Sequence, residues 1–147
     1  MELTVDQMLQ QGVAAHNAGN LQEAERLYRA ILQVQPNHPD ANHNLGLIAV
    51  SMNQSGMALP LFKNAIDGNP NIEQFWLSYI DALIKEKQFD NVKQVIEQGK
   101  KQGVAGEKLD ALQSRLKETL VDSKNNITAY HELIPAIKLR EEGENTN

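Results

Sequence analysis

Leu45-Gly46-Leu47-Ile48-Ala49, then Ala58-Leu59-Pro60-Leu61-Phe62-Lys63-Asn64-Ala65, then Pro70, is the part of the chain from which its fold can be read. Two apolar segments carry small residues about one helical turn apart, a polar turn separates them, and a proline closes the second. On either side of it, a shift of 34 residues lays like on like along much of the chain. Gly12 meets Gly46. Ala15 meets Ala49 and Leu83, Ala24 meets Ala58 and Val92, and Tyr28 meets Phe62 and Ile96. Leu27, Leu61 and Val95 align, as do Leu32 with Ile66 and Pro36-Asn37 with Pro70-Asn71, while Met8 and Asn42 share a register with Trp76. So many coincidences at one period mark an internal repeat.

Each recurring position has a physical reading. Two antiparallel helices that approach closely need small residues where they cross, which Gly12, Ala24, Gly46 and Ala58 supply. Tyr28 and Phe62 are bulky enough to fill the layer between neighbouring helix pairs. Pro36 and Pro70 end the second helix of a pair, because proline lacks an N–H and its ring clashes with the preceding turn. Thr4-x-x-Gln7, Asn20-x-x-Glu23 and Asn71-x-x-Gln74 read as capping boxes or variants of one, and Asn37 and Asn71 are placed to cap the helix after each proline. These signals predict helices near 5–18, 21–34, 39–52, 56–68, 72–86 and 89–101. Pro60 falls inside the fourth and should bend its first turn, at a cost of up to about 3 kcal/mol.

With these residues in view, Leu45-Gly46-x-x-Ala49 … Ala58-x-x-x-Phe62-x-x-Ala65 … Pro70 resembles the tetratricopeptide repeat (TPR). The first repeat matches through Gly12, Ala24, Tyr28 and Pro36, with Ala15 at the usual aromatic position. The third keeps Trp76, Tyr79 and Leu83, but has Ile80 and Val92 for the small crossing residues and Val104 for the proline. Its helices are expected to sit further apart. The resemblance implies an all-α chain, a right-handed α-α superhelix of about three helix–turn–helix repeats spanning 5–38, 39–72 and 73–106.

Beyond the repeats, Leu109, Leu112, Leu116 and Leu120 fall on one helical face with charges opposite, which predicts a capping helix over 107–120. Residues 121–142 resume helical spacing through Ile127, Tyr130, Leu133, Ile134 and Ile137. This segment reads as an extra helix or the opening of an incomplete further repeat. The tail 143–147 reads as disordered.

Composition narrows the function. Acidic residues outnumber basic ones, 19 to 14, giving a net charge of −5 that argues against nucleic-acid and anionic-membrane surfaces. There is no cysteine, hence no disulfide or thiolate metal site. The N-terminus lacks a signal-peptide pattern and no apolar run has membrane-span length, so the expected location is cytoplasmic. No phosphate-cradling glycine loop or HExxH motif is present. His38, Asp40 and His43 cluster without a known ligand spacing, and His16 reads as a surface residue. Neither metal nor cofactor is expected.

The expectation is therefore a non-catalytic scaffold that binds a protein or peptide ligand. The resemblance implies that the first helix of each repeat lines a concave groove. On this chain that set is Asp6, Gln10, Val13 and Asn17; Asp40, His43, Asn44, Leu47 and Ser51; and Gln74, Ser78, Asp81 and Lys85. Gln10, Asn44 and Ser78 share one register and would stack as a polar ladder. Asn44 stands out because an amide both donates to and accepts from a peptide backbone, or else bonds neighbouring helices. Some TPR proteins hold chaperone C-termini in a carboxylate clamp of Lys, Asn, Asn, Lys and Arg. The corresponding residues here are Leu9, Val13, Asn44, Gln74 and Ser78, and only Asn44 retains the type, so that specificity is not expected. Two alternatives remain. One is the N-terminal repeat region of a larger bacterial enzyme of glycosyltransferase, sulfotransferase or methyltransferase type. The other is a self-assembling module, a homo-oligomer through Tyr130, Leu133 and Ile137 of the C-terminal helix.

Overall fold

Thr4 starts the first helix with a reciprocal cap: its hydroxyl accepts from the Gln7 N–H at 3.1 Å, and the Gln7 side chain accepts from the Thr4 N–H at 2.9 Å. From there a computed structural model describes residues 2–104 and 106–118. The helices are α1 (Val5–Asn17), α2 (Leu21–Val34), α3 (Pro39–Ser51), α4 (Ser55–Gly68), α5 (Glu73–Lys85) and α6 (Phe89–Lys101). A further helical stretch covers 106–118, and no strand occurs among the described residues. The chain divides into two compact units, Met1–Leu112 and Gln113–Asn147. The first holds the six helices. In the second, the described residues 113–118 are helical, with Leu116 buried. Leu120, the extra helix expected over 121–142 and the tail at 143–147 lie outside the described residues.

Within the first unit, α1 packs on α2 and α3 on α4, while α2 against α3 and α4 against α5 carry one pair onto the next. The second helices bury a single recurring stripe. In α2 it is Ala24, Leu27, Tyr28 and Ile31, and in α6 it is Val92, Val95, Ile96 and Gly99, positions i, i+3, i+4 and i+7 in both. Helix α4 buries Ala58, Phe62 and Ala65 in the same registers.

The first two pairs meet glycine against ring. A methyl group on Gly12 would lie 2.7 Å from Tyr28 Cε1, and one on Gly46 would lie 2.4 Å from Phe62 Cε1. The rings thus sit on the glycine of their own pair as well as reaching the next. Tyr28 clusters with Ala41, Leu45 and Ile48 of α3, and Phe62 with Ala82 of α5. The third pair inverts this arrangement. Its bulky residue, Trp76, is on the first helix and its small one, Gly99, on the second, where an added methyl would lie 3.3 Å from Trp76 Cε3. Of the three pairs, α5 and α6 approach one another least along their length.

The turns repeat as the helices do. Gly19, Asn53 and Lys87 occupy equivalent positions after α1, α3 and α5, all left-handed with φ of 82°, 60° and 59°. Each is followed by an N–H that closes the helix end: Asn20 to the Ala15 carbonyl, Gln54 to Ala49 and Gln88 to Leu83, at 2.8–2.9 Å. Between pairs, a side-chain N–H holds the carbonyl of the turn proline. Asn42 Nδ2 donates to Pro36 at 3.0 Å, and Trp76 Nε1 donates to Pro70 at 2.8 Å. The shared register of Asn42 and Trp76 therefore reflects a shared donor role, although one is an amide and the other an indole.

Three local expectations change. Asn37 does not cap α3. Pro39 at the first helical position places His38 at the cap, and its Nδ1 accepts from the Ala41 N–H at 3.1 Å. Asn71 does not cap α5 either: Ile72 precedes the helix without a side-chain cap, and the Asn71 N–H turns back to Asn69 Oδ1 at 3.2 Å. Asn20 makes only half a box, accepting from the Glu23 N–H at 3.4 Å.

Helix α4 runs unbroken through Pro60, well past its first turn. The ring is exposed, so the Gly56 carbonyl that loses its donor can be hydrated instead. Pro60→Ala restores that N–H in a continuous helix. It should raise stability by about 1–3 kcal/mol in urea unfolding. An unchanged midpoint would mean the helix has adapted fully to the proline.

Candidate functional site

The first helices carry the residues expected to meet a ligand, and the structure sorts them into two groups. Gln10 and Asn17 on α1, Asp40 on α3, and Gln74 and Lys85 on α5 are exposed, as are Asp6 and Ser51. Val13, Asn44, Leu47 and Asp81 are half-buried. Lys85 Nζ lies 3.1 Å from Asp81 Oδ2, one turn along α5, so this cation and this carboxylate engage each other.

His43 and Ser78 form the second group. They are only 6% and 9% exposed, and they are brought together with His43 Nε2 2.8 Å from Ser78 Oγ. The His43 ring lies between Phe62 of α4 and Phe75 of α5, with centroids 5.5 Å and 4.8 Å away. Gln74 Nε2 donates to Ser78 Oγ at 3.2 Å, so the serine oxygen is shared between the glutamine and histidine side chains. Burial lowers the proton affinity of His43, opposed by the Asn44 side chain and the Asp40 carboxylate. His43 and Ser78 hold α3 to α5.

A second polar contact ties α1 to α2. His16 Nδ1 is 3.2 Å from the Tyr28 hydroxyl, with the rings edge-on at 6.0 Å. His16 is half-buried rather than a surface residue, and it gives the buried phenol a partner. Burial raises the Tyr28 pKa, and the Asn44 side chain works in the opposite direction. Asn44 thus acts on α2 through Tyr28 and on His43 within α3. The polar ladder of Gln10, Asn44 and Ser78 is uneven as a result: Gln10 is open, Asn44 is half-buried and engaged, and Ser78 is interior. Residue types alone pointed to Asn44; the Tyr28, Phe62 and Phe75 environment around these polar groups depends on how the helices stack.

Among the described residues no group of three or more His, Cys, Asp or Glu gathers to hold a metal ion. None of their helices is long and apolar enough to cross a membrane.

Solved structures share this arrangement. The Sgt2 TPR domain from Aspergillus fumigatus is similar at a TM-score of 0.70 and 17% identity, over 82% of each chain. The TPR2B domain of yeast Sti1, solved as a complex with pHsp70, is similar at a TM-score of 0.70 and 13% identity, over 78% of this chain and 97% of that one. The first TPR of Spaghetti (RPAP3), bound to the HSP90 peptide SRMEEVD, gives 0.70 and 13%, over 80% and 93%. No protein-family model matches the sequence, and no curated protein does either. The chain has the tetratricopeptide-repeat fold, all-α and built of stacked helix–turn–helix pairs.

Proposed function

We propose that this chain is a non-catalytic interaction scaffold that binds a peptide or helix of another protein across the face of α1, α3 and α5. The observation carrying the reading is that polar side chains stay exposed on three successive first helices: Gln10 and Asn17 on α1, Asp40 on α3 and Gln74 on α5. Leu47, half-buried among them, offers an apolar contact. Of the similar structures, one holds an HSP90 peptide and another is a complex with pHsp70 on the same fold. The helical residues 106–112 serve as the start of the cap, with Leu109 buried near Gly99 of α6.

The ligand is a neutral or basic extended segment. SRMEEVD, held by the Spaghetti domain, is acidic, whereas this face presents the exposed carboxylates of Asp6 and Asp40. Exposed charges contribute little affinity singly, about 0–1 kcal/mol, so their main effect is on selectivity and association rate.

A peptide array probed with the wild-type chain tests the preference, and neutral or basic sequences should dominate. A preference for acidic C-termini would overturn it. Leu47→Asp should weaken the selected peptide by about tenfold or more, through loss of apolar contact and added charge. Unchanged affinity, with the helical spectrum intact, would remove this face as the site.

A further inference from the structure

We infer that His43 is an acid-released latch between the second and third helix pairs. Its ring reaches from α3 to Ser78 on α5 across 2.8 Å and is enclosed by Phe62 of α4 and Phe75 of α5. The groups around it are few. Helix α3 itself supplies Asp40 and Asn44, α4 the Phe62 ring, and α5 Phe75 and Ser78 with Gln74 behind it. The same Asn44 side chain also bears on Tyr28 of α2. The charge that bears on the ring is Asp40, an exposed residue and hence partly screened by water.

A neutral ring suits this enclosure. Gln74 donates to Ser78 Oγ, and Ser78 Oγ meets Nε2, a contact that a neutral ring satisfies as donor or as acceptor. Once protonated, the ring carries a hydrogen on both nitrogens and can only donate. The imidazolium also loses its hydration, because it is 6% exposed and faces two rings that cannot accept a conventional hydrogen bond.

Acid therefore loosens this contact. Burial holds the folded-state pKa of His43 below the ordinary value of 6.5, so as pH falls the unfolded chain takes up the proton first. The latch is at full strength above about pH 6.5 and weakens as pH falls from there through the folded value. Both α3 and α5 belong to the binding face proposed above, so an open latch would also divide that face. That consequence rests on the functional reading, but the latch itself is tested without a ligand.

Nitrogen-detected NMR titration of the wild-type histidines, with amide hydrogen exchange at pH 7 and pH 5, provides the test. His43 should titrate below 6.5, its ordinary value. Opening of α5 and α6, corrected for intrinsic exchange, should rise more on acidification than that of α1 and α2. His43→Gln, which cannot be charged, should abolish that difference, and His38→Gln should retain it. If His43→Gln fails to fold, the wild-type titration and exchange pattern still decide. A His43 pKa at or above 6.5, as attraction to the phenylalanine faces would produce, overturns the latch. So does acid opening spread evenly over α1–α6, or a His43→Gln chain that keeps the wild-type difference.

Discussion

Phe62→Ala removes about 3–5 kcal/mol of stability, a large share of the roughly 5–15 kcal/mol that holds a small domain folded. Phe62 is fully buried and touches three helices at once. It packs on Gly46 of α3, clusters with Ala58 of its own helix and Ala82 of α5, and stacks beside His43. The empty space cannot close easily, because relaxing toward one helix opens a gap at another.

Its partner glycine gives a sharper test. A methyl on Gly46 would stand 2.4 Å from Phe62 Cε1 and 2.7 Å from Cδ1, inside any real contact distance. Gly46→Ala gains about 1 kcal/mol of helix propensity and loses more to overpacking, typically about 1–3 kcal/mol. In a Phe62→Leu background the ring is gone, the methyl has room, and the propensity gain remains. Gly46→Ala should therefore change from destabilising to neutral or stabilising, a coupling of about 0.5–3 kcal/mol in a double-mutant cycle read by urea unfolding. Additive effects would show that the ring and the glycine do not meet.

Trp76→Ala should cost about 3–5 kcal/mol, and Trp76→Phe about 1–3 kcal/mol. The two variants separate the jobs of one side chain. The indole is 4% exposed and lies over Gly99, the only tight approach of this kind between α5 and α6 among the described residues. It also donates to the Pro70 carbonyl at 2.8 Å. Phenylalanine keeps the apolar body and leaves that carbonyl without its donor; alanine loses both. Because this is the only tryptophan in the chain, unfolding should be followed by far-ultraviolet circular dichroism. If Trp76→Phe proves as stable as wild type, water has replaced the indole N–H and the inter-pair turn does not depend on it.

Much of the fold was legible because its signals are local and recur. The helix bounds expected from proline, glycine and capping residues lie within a residue or so of those observed. Gly12 and Gly46 were identifiable as close-approach sites because each is small at a position where helix spacing demanded an inward residue. Gly99 was not. In α6 it looks like a gap in the apolar stripe of Val92, Val95 and Ile96, and only Trp76 on the opposite helix shows that the small residue has moved across the crossing. Asn37 and Asn71 have the right chemistry for caps, but Pro39 at the first helical position puts His38 at the cap, and Asn69 draws Asn71 into a turn. Asn42 and Trp76 were seen to share a register, yet their common donor role was hidden by unlike side chains.

The all-α class, the helix order and the recurrence of a small residue and a ring at fixed positions were all readable in the amino-acid order. Helix periodicity, turn chemistry and steric size act over a few residues, and a repeat makes each signal appear more than once. Which polar residues of the first helices remain open to a ligand emerged only when the pairs were stacked. Gln10 and Asp40 stay exposed, whereas His43 and Ser78, separated by 35 positions, are enclosed by Phe62 and Phe75 and bonded to each other. Whether a side chain faces water or a neighbour is set by what the adjacent pair places against it, and that neighbour is distant in sequence.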